Sequence, residues 1–191
     1  MQVNIGTMPK KKYEGYLLAA NPANPKDDLE RSVVLLLRHT DDISVGLQIN
    51  RELTNHKLSE LSENNGIYID TEDPLWYGGN IEERKIHVVH STDWMGLSSS
   101  KITDDIAVTN DISVLAAVSR NEGPEYFRAC AGFWVWSDGR MNHMLDPHDT
   151  TEPIKWEILP ATMETVFAEE GIDQWLLAID RSAQFQTATW F

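Results

Sequence analysis

A chain of 191 residues with 30 acidic and 16 basic side chains carries a formal charge of −14, which repels phosphate backbones and makes direct DNA binding the least favoured role. Its 41% apolar content is that of a globular protein able to bury a substantial core. No run approaches the roughly 20 apolar residues that span a bilayer. A lone cysteine, Cys130, and a basic trio, Lys10 to Lys12, with no apolar signal region after it point to a cytoplasmic protein with no membrane association.

In chain order, 15–20 (GYLLAA) reads as a first strand, stopped by the Asn21-Pro22-Ala23-Asn24-Pro25 stretch. Residues 32–38 form a second strand whose unbroken apolar run, Val33 to Leu37, predicts cover on both faces. After the turn residues Thr40-Asp41-Asp42, residues 44–50 alternate. Val45, Leu47 and Ile49 share one side, and Ser44, Gly46, Gln48 and Asn50 the other. The pair is a β-hairpin with one half-polar face. A helix is expected over 57–63, then strands at 85–90, 105–109 and 126–136. Asn110 or Asp111 caps a helix over 111–121 that Gly123-Pro124 ends. A strand at 156–159 precedes helices at 163–170 and 173–181, with Gly171 breaking between them. Strands and helices mix without a regular βαβ alternation, so the fold class is α+β. We divide the chain into an N-terminal segment (1–14), a single domain (15–183) and a tail (184–191) ending in Trp190-Phe191.

Several residue groups bear on chemistry. His87 and His90 are three apart on a strand, so they face opposite sides and cannot easily share a metal ion. His90, Ser91 and Asp93 lack the glycine frame of a nucleophile elbow, and adjacent side chains diverge on a strand. His143, Asp146, His148 and Asp149 form the densest ligand-type cluster, yet their spacing matches no metal signature, and solvated loops commonly hold such residues. No metal and no cofactor is assigned. Arg128 shares a strand face with Cys130 and would favour its thiolate, but an inert buried thiol is the better-founded expectation. Gly78-Gly79 has no Lys-Ser/Thr after it and suits a tight turn or close backbone approach rather than phosphate binding. Arg31, Asn50 and Arg51 meet at the open end of the hairpin, where two guanidinium groups can clamp a carboxylate or phosphate. In so acidic a chain, an internal ion-pair and capping network is the competing explanation.

The order of these elements resembles the AlgH/YqgE family over about 15–178. The resemblance is carried by Arg31-Ser32-Val33 with His39, Gly46-Leu47-Gln48-Ile49-Asn50-Arg51, Tyr77-Gly78-Gly79 and Val88-Val89-His90-Ser91. Val108-Thr109 with Asp111, Gly123-Pro124-Glu125, and Gly132-Phe133 with Trp136 and Gly139 complete it. The chain departs from the family pattern at Glu52, Asn80, Trp134-Val135 and Arg140-Met141, and carries Asp146-Pro147-His148-Asp149 where an acidic helix is expected. The resemblance implies a partly barrel-like, bifurcated β-sheet wrapped by helices, in a family often described as transcriptional regulators and without an established cofactor or catalytic residue. The expected role is binding or regulation through a protein partner or small anionic ligand, at a concavity built from Arg31, Asn50, Arg51, Gly78, Gly79 and His90. The alternatives are an enzyme using His90 or Cys130 and, last, a direct DNA-binding regulator.

Overall fold

The computed structural model describes residues 13–62 and 66–188. Its first hairpin follows from the apolar run. Strand β2 (Val33–His39) pairs antiparallel with β3 (Ser44–Gln48) around a turn closed by the Thr40 amide and hydroxyl on the Ile43 carbonyl. Strand β1 (Tyr16–Ala20) flanks β2 and is itself covered by β10 (Trp156–Pro160). Between β3 and β10 come β4 (Glu52–Lys57), β5 (Pro74–Tyr77), β6 (Ile81–Ser91), β7 (Ser100–Lys101), β8 (Ile106–Thr109) and β9 (Phe127–Trp136). The main order is β10-β1-β2-β3-β9-β6-β8-β7.

Strand β9 is where the sheet divides. Its C-terminal residues Trp134–Trp136 pair antiparallel with β3, while Ala129–Ala131 pair parallel with β5, which in turn holds β4. Along its other edge β9 pairs with β6. The result is a mostly antiparallel, curled half-barrel, an α+β fold with the bifurcation that the resemblance implied.

Four helices among the described residues cover it: α1 (Ser113–Ser119), α2 (Arg140–Leu145), α3 (Met163–Phe167) and α4 (Gly171–Ala188). On one face of the hairpin, Val33, Leu35, Leu47 and Ile49 pack with Val166, Trp175 and Ala178 of α3 and α4. On the other, Val34 and Leu36 meet Trp136, Trp156 and Met141 and Met144 of α2. Strand β2 is thus covered on both sides, as its unbroken apolar run predicts. Burying a leucine such as Leu35 contributes about 1.5–3 kcal/mol. A third cluster joins Leu58, Ile86, Val88 and Ala129 to Val114 and Leu115 of α1.

Several expectations are corrected. The half-polar face of the hairpin, whose exposure the alternation left open, is covered: Ser44, Gln48 and Asn50 are all buried. The helix expected over 57–63 is present in part: Lys57 ends β4, Leu58–Glu60 form a 3-10 turn that continues helically through Ser62, and Leu58 is driven into the third cluster; residue 63 lies outside the described residues. Ile112, not Asn110 or Asp111, occupies the cap position of α1, although the Asp111 carboxylate accepts the Ser113 amide at 3.0 Å. Gly171, with φ of 57°, begins α4 rather than lying between two helices, and α4 runs to Ala188, absorbing most of the expected tail. Trp190-Phe191 and the Lys10–Lys12 trio lie outside the described residues. No helix among the described residues is long and apolar enough to cross a membrane.

Candidate functional site

At the open end of the β2–β3 hairpin the chain brings together three of the residues singled out by sequence. Arg31, Asn50 and Arg51 line one pocket of ≈ 370 Å³, with Gln48. Its rim also holds Asp27, Asp28 and Glu30, and the start of α4, Gly171-Ile172, closes one side. Arg31 sits at a left-handed φ of 56°, an uncommon conformation for a bulky residue that persists only where its surroundings impose it. Asn50 imposes it. Its side-chain amide donates to the carbonyls of Arg31 and Gly171, both at 2.9 Å, while its Oδ1 accepts the Val33 amide at 2.9 Å. Asn50 is therefore a staple between hairpin and helix, and its donors are already used.

The two guanidinium groups differ from it. Arg31 is exposed, 3.8 Å from Glu30, and Arg51 lies over the Tyr77 ring at 5.2 Å from its centroid. Burial raises the pKa of Tyr77, as does Glu83, while Arg51 opposes the rise, so Tyr77 stays a neutral aromatic wall at ordinary pH. Gln48 is only 3% exposed; its Nε2 donates to Ser32 Oγ at 2.8 Å, and its Oε1 has no hydrogen-bond partner. Gln48 Oε1 shares this state with His87 Nε2, Trp134 Nε1 and Trp156 Nε1, and of the four residues only Gln48 lines this pocket. Gln48 was visible in the sequence as one member of the alternation and of the Gly46–Arg51 run, whereas Asp27, Asp28 and Glu30 carried no motif that singled them out.

Below this pocket a buried polar network locks α4 to the sheet. The Arg128 guanidinium donates to Ile49 O (2.5 Å), Gln174 Oε1 (2.6 Å) and Glu169 O (2.6 Å), and stacks 4.5 Å from the Trp76 ring centroid. Burial lowers the pKa of Arg128, but its three carbonyl-type acceptors keep the charge solvated. This guanidinium is committed to structure. Its neighbour Cys130 is fully buried, and burial pushes the thiol up to about 12 despite Arg128, which disfavours the alternative of an activated thiolate.

Gly78 and Gly79 serve a close backbone approach. The Gly78 amide donates to Ala131 O at 2.7 Å and its carbonyl accepts the Gln48 amide at 2.9 Å. A Cβ on Gly78 would lie 2.3 Å from Gly132 O, and one on Gly79 would lie 2.2 Å from the Phe133 carbonyl carbon. Neither lines the arginine pocket, so the structure does not bring them into the expected binding group.

His90 is not part of the arginine pocket. Its Nδ1 lies 2.9 Å from the Ser91 carbonyl and its Nε2 3.0 Å from Ser99 Oγ, with Trp94 edge-on at 5.4 Å. A carbonyl only accepts, so Nδ1 carries the proton and Nε2 receives the Ser99 hydroxyl. Burial lowers the His90 pKa and keeps the ring neutral. His87 faces the opposite side, against Phe133. The Ser91 hydroxyl donates to the Asp93 carboxylate, and neither side chain bonds to the His90 ring. In the His143 region, His143 Nδ1 pairs with Asp149 at 2.6 Å, and the Thr151 hydroxyl and His143 hold the Asp149 carboxyl below the usual range. Among the described residues no three His, Cys, Asp or Glu side chains converge as a metal group requires.

A larger groove of ≈ 790 Å³ lies beyond Tyr77, between β4 and β6. Leu53, Leu75 and Ile86 give it an apolar floor, and His56, Glu83 and Arg84 a polar rim. Neither His90 nor Cys130 lines the pocket or the groove.

Comparison with known proteins agrees with this architecture. The AlgH-like family model, DUF179, matches residues 17–184. A UPF0301 protein of Gluconobacter oxydans is 30% identical over 173 residues, spanning 87% of this chain and 90% of that one. A UPF0301 protein of Methylococcus capsulatus is 28% identical over 163 residues, spanning 84% and 86%. Among solved structures, the solution structure of AlgH from Pseudomonas aeruginosa superposes with a TM-score of 0.72 at 20% identity, over 93% of this chain and 92% of that one. The half-barrel, its bifurcation at β9 and the matched sequence together make this chain a member of the AlgH-like family.

Proposed function

We propose that this chain is a cytoplasmic binding protein with a regulatory role, working through the pocket at the open end of the β2–β3 hairpin rather than by catalysis. The observation that carries the reading is the Gln48 Oε1, buried and unpartnered in the wall of a pocket that also holds two exposed arginines. An acceptor left bare there is destabilising by about 1–3 kcal/mol, a penalty that a bound donor relieves. The groove floored by Leu53, Leu75 and Ile86 supports a second reading, docking of a partner polypeptide. The acidic surface favours a basic partner over nucleic acid.

The experiment is capture from lysate of the native host, comparing the wild-type chain with Arg31→Ala/Arg51→Ala. Both side chains are exposed, so the variant should fold, which circular dichroism checks. Mass spectrometry of retained metabolites and proteins is expected to find a species held by the wild type and lost by the variant. Matching captures overturn the pocket reading. Loss of a polypeptide on Leu53→Glu, with the arginine variant unaffected, would move the site to the groove.

A further inference from the structure

We infer that the arginine pocket takes a small zwitterion, a free α-amino acid or a compound presenting the same ammonium and carboxylate, instead of a simple anion. The inference rests on the binding reading above and names the ligand class for the same site.

The pocket is electrostatically two-sided. Arg31 and Arg51 supply two positive charges, and the first residues of the 18-residue helix α4 add the partial positive charge of a helix N-terminus. Asp27, Asp28 and Glu30 supply three negative charges on the same rim. A phosphate or bare carboxylate drawn by the arginines would meet those three like charges. A cationic amine would meet the arginines in turn. A ligand carrying both charges satisfies both sides at once, and guanidinium groups suit the planar carboxylate.

Gln48 chooses the orientation. Its Nε2 is engaged by Ser32 Oγ, and its Oε1 is buried with no hydrogen-bond partner. An acceptor needs an N–H or O–H donor, which a carboxylate lacks and an ammonium supplies threefold. Asn50 cannot serve in its place, because its amide is spent on Arg31 and Gly171. Asn50 is instead the positioning residue that fixes Arg31 and the start of α4 relative to each other. The volume, ≈ 370 Å³, sits at the small end of ligand pockets and fits an amino acid better than a nucleotide.

The test is calorimetric titration of the full chain with each free L-amino acid, with inorganic phosphate and acetate as anion probes. For any amino acid that binds, the matching amine without its carboxylate and the matching carboxylic acid without its amine follow. The expected result is binding of at least one amino acid, weakened tenfold or more in both truncated forms. Arg51→Ala should lose affinity for the intact amino acid but not further for the amine. Gln48→Met, a change of similar size, should lose affinity for the intact amino acid but not further for the carboxylic acid that lacks the amine. Phosphate or acetate binding as tightly as any amino acid overturns the zwitterion while the ligand site stands. No binding by any amino acid also overturns it, and the capture experiment then judges the site independently. Equal affinity of Gln48→Met and wild type removes the assigned orientation and with it the inference.

Discussion

At the scale of single residues, burial decides what each polar group can do. Arg128 and Cys130 share one face of β9, where the sequence invites a thiolate held by a guanidinium. The structure turns the guanidinium away onto Ile49, Glu169 and Gln174, and seals the thiol in the core beside Leu35, Leu47 and Trp76. An unfolded thiol titrates near 9.0, the folded one at about 12. Between those values only the unfolded chain loses the proton. The contribution to stability is therefore full below the lower value and falls as pH rises toward the upper one, with a slope up to about 1.4 kcal/mol per pH unit. Urea unfolding at about pH 8 and about pH 10 should show a larger loss in the wild type than in Cys130→Ala. A maleimide should leave the native thiol unlabelled and label it in urea. Equal pH slopes, or rapid native labelling, would contradict this account.

At the scale of elements, patterns that depend on neighbours in sequence were readable and those that depend on crossings were not. The β2–β3 hairpin, β8 and β9 follow from apolar runs and turn residues, and the structure places them within a residue or two. Strand β4 could not be read, because Glu52–Lys57 is almost wholly polar and exposed and is held only by β5. The glycine pair after β5 was read as a close approach, but its partner, Gly132 on β9, is not a neighbour in sequence. That crossing gives a prediction. Gly78→Ala puts a methyl 2.3 Å from a backbone oxygen, and neither backbone can yield without breaking the β5–β9 ladder. We expect a loss of about 3 kcal/mol in chemical denaturation. A loss under about 0.5 kcal/mol, the range of ordinary surface changes, would mean the two strands are not packed this closely.

At the scale of the whole molecule, net charge opposes compaction. A formal charge of −14 spreads over a surface whose ion pairs, such as Arg140–Glu152 and Arg181–Glu164, are exposed and contribute little each. Salt shortens the Debye length from about 30 Å at 0.01 M to about 8 Å at 0.15 M and screens the self-repulsion. Scanning calorimetry should therefore show Tm rising with sodium chloride over that range, by about 2–4 °C for each 1 kcal/mol of repulsion removed. A falling Tm would show that the surface ion pairs outweigh the repulsion.

The sequence by itself determined the α+β class, the double cover of strand β2 and the family, because apolar periodicity records which faces are buried and motif order records the chain's path. It also put Arg31, Asn50 and Arg51 at one end of that hairpin, since a short turn leaves strand partners little freedom. Only the tertiary structure decided their roles. Asn50 became a staple because Gly171, 121 residues away, arrives beside it. His90 left the group because Ser99 and Trp94 cover it at another edge. Gln48 gained its orphaned acceptor because its amide met Ser32 on one side and found no donor on the other. The physical reason is common to all three. A strand's alternation fixes which way a polar side chain points, while its hydrogen-bond partner is set by whichever distant element comes to cover that face.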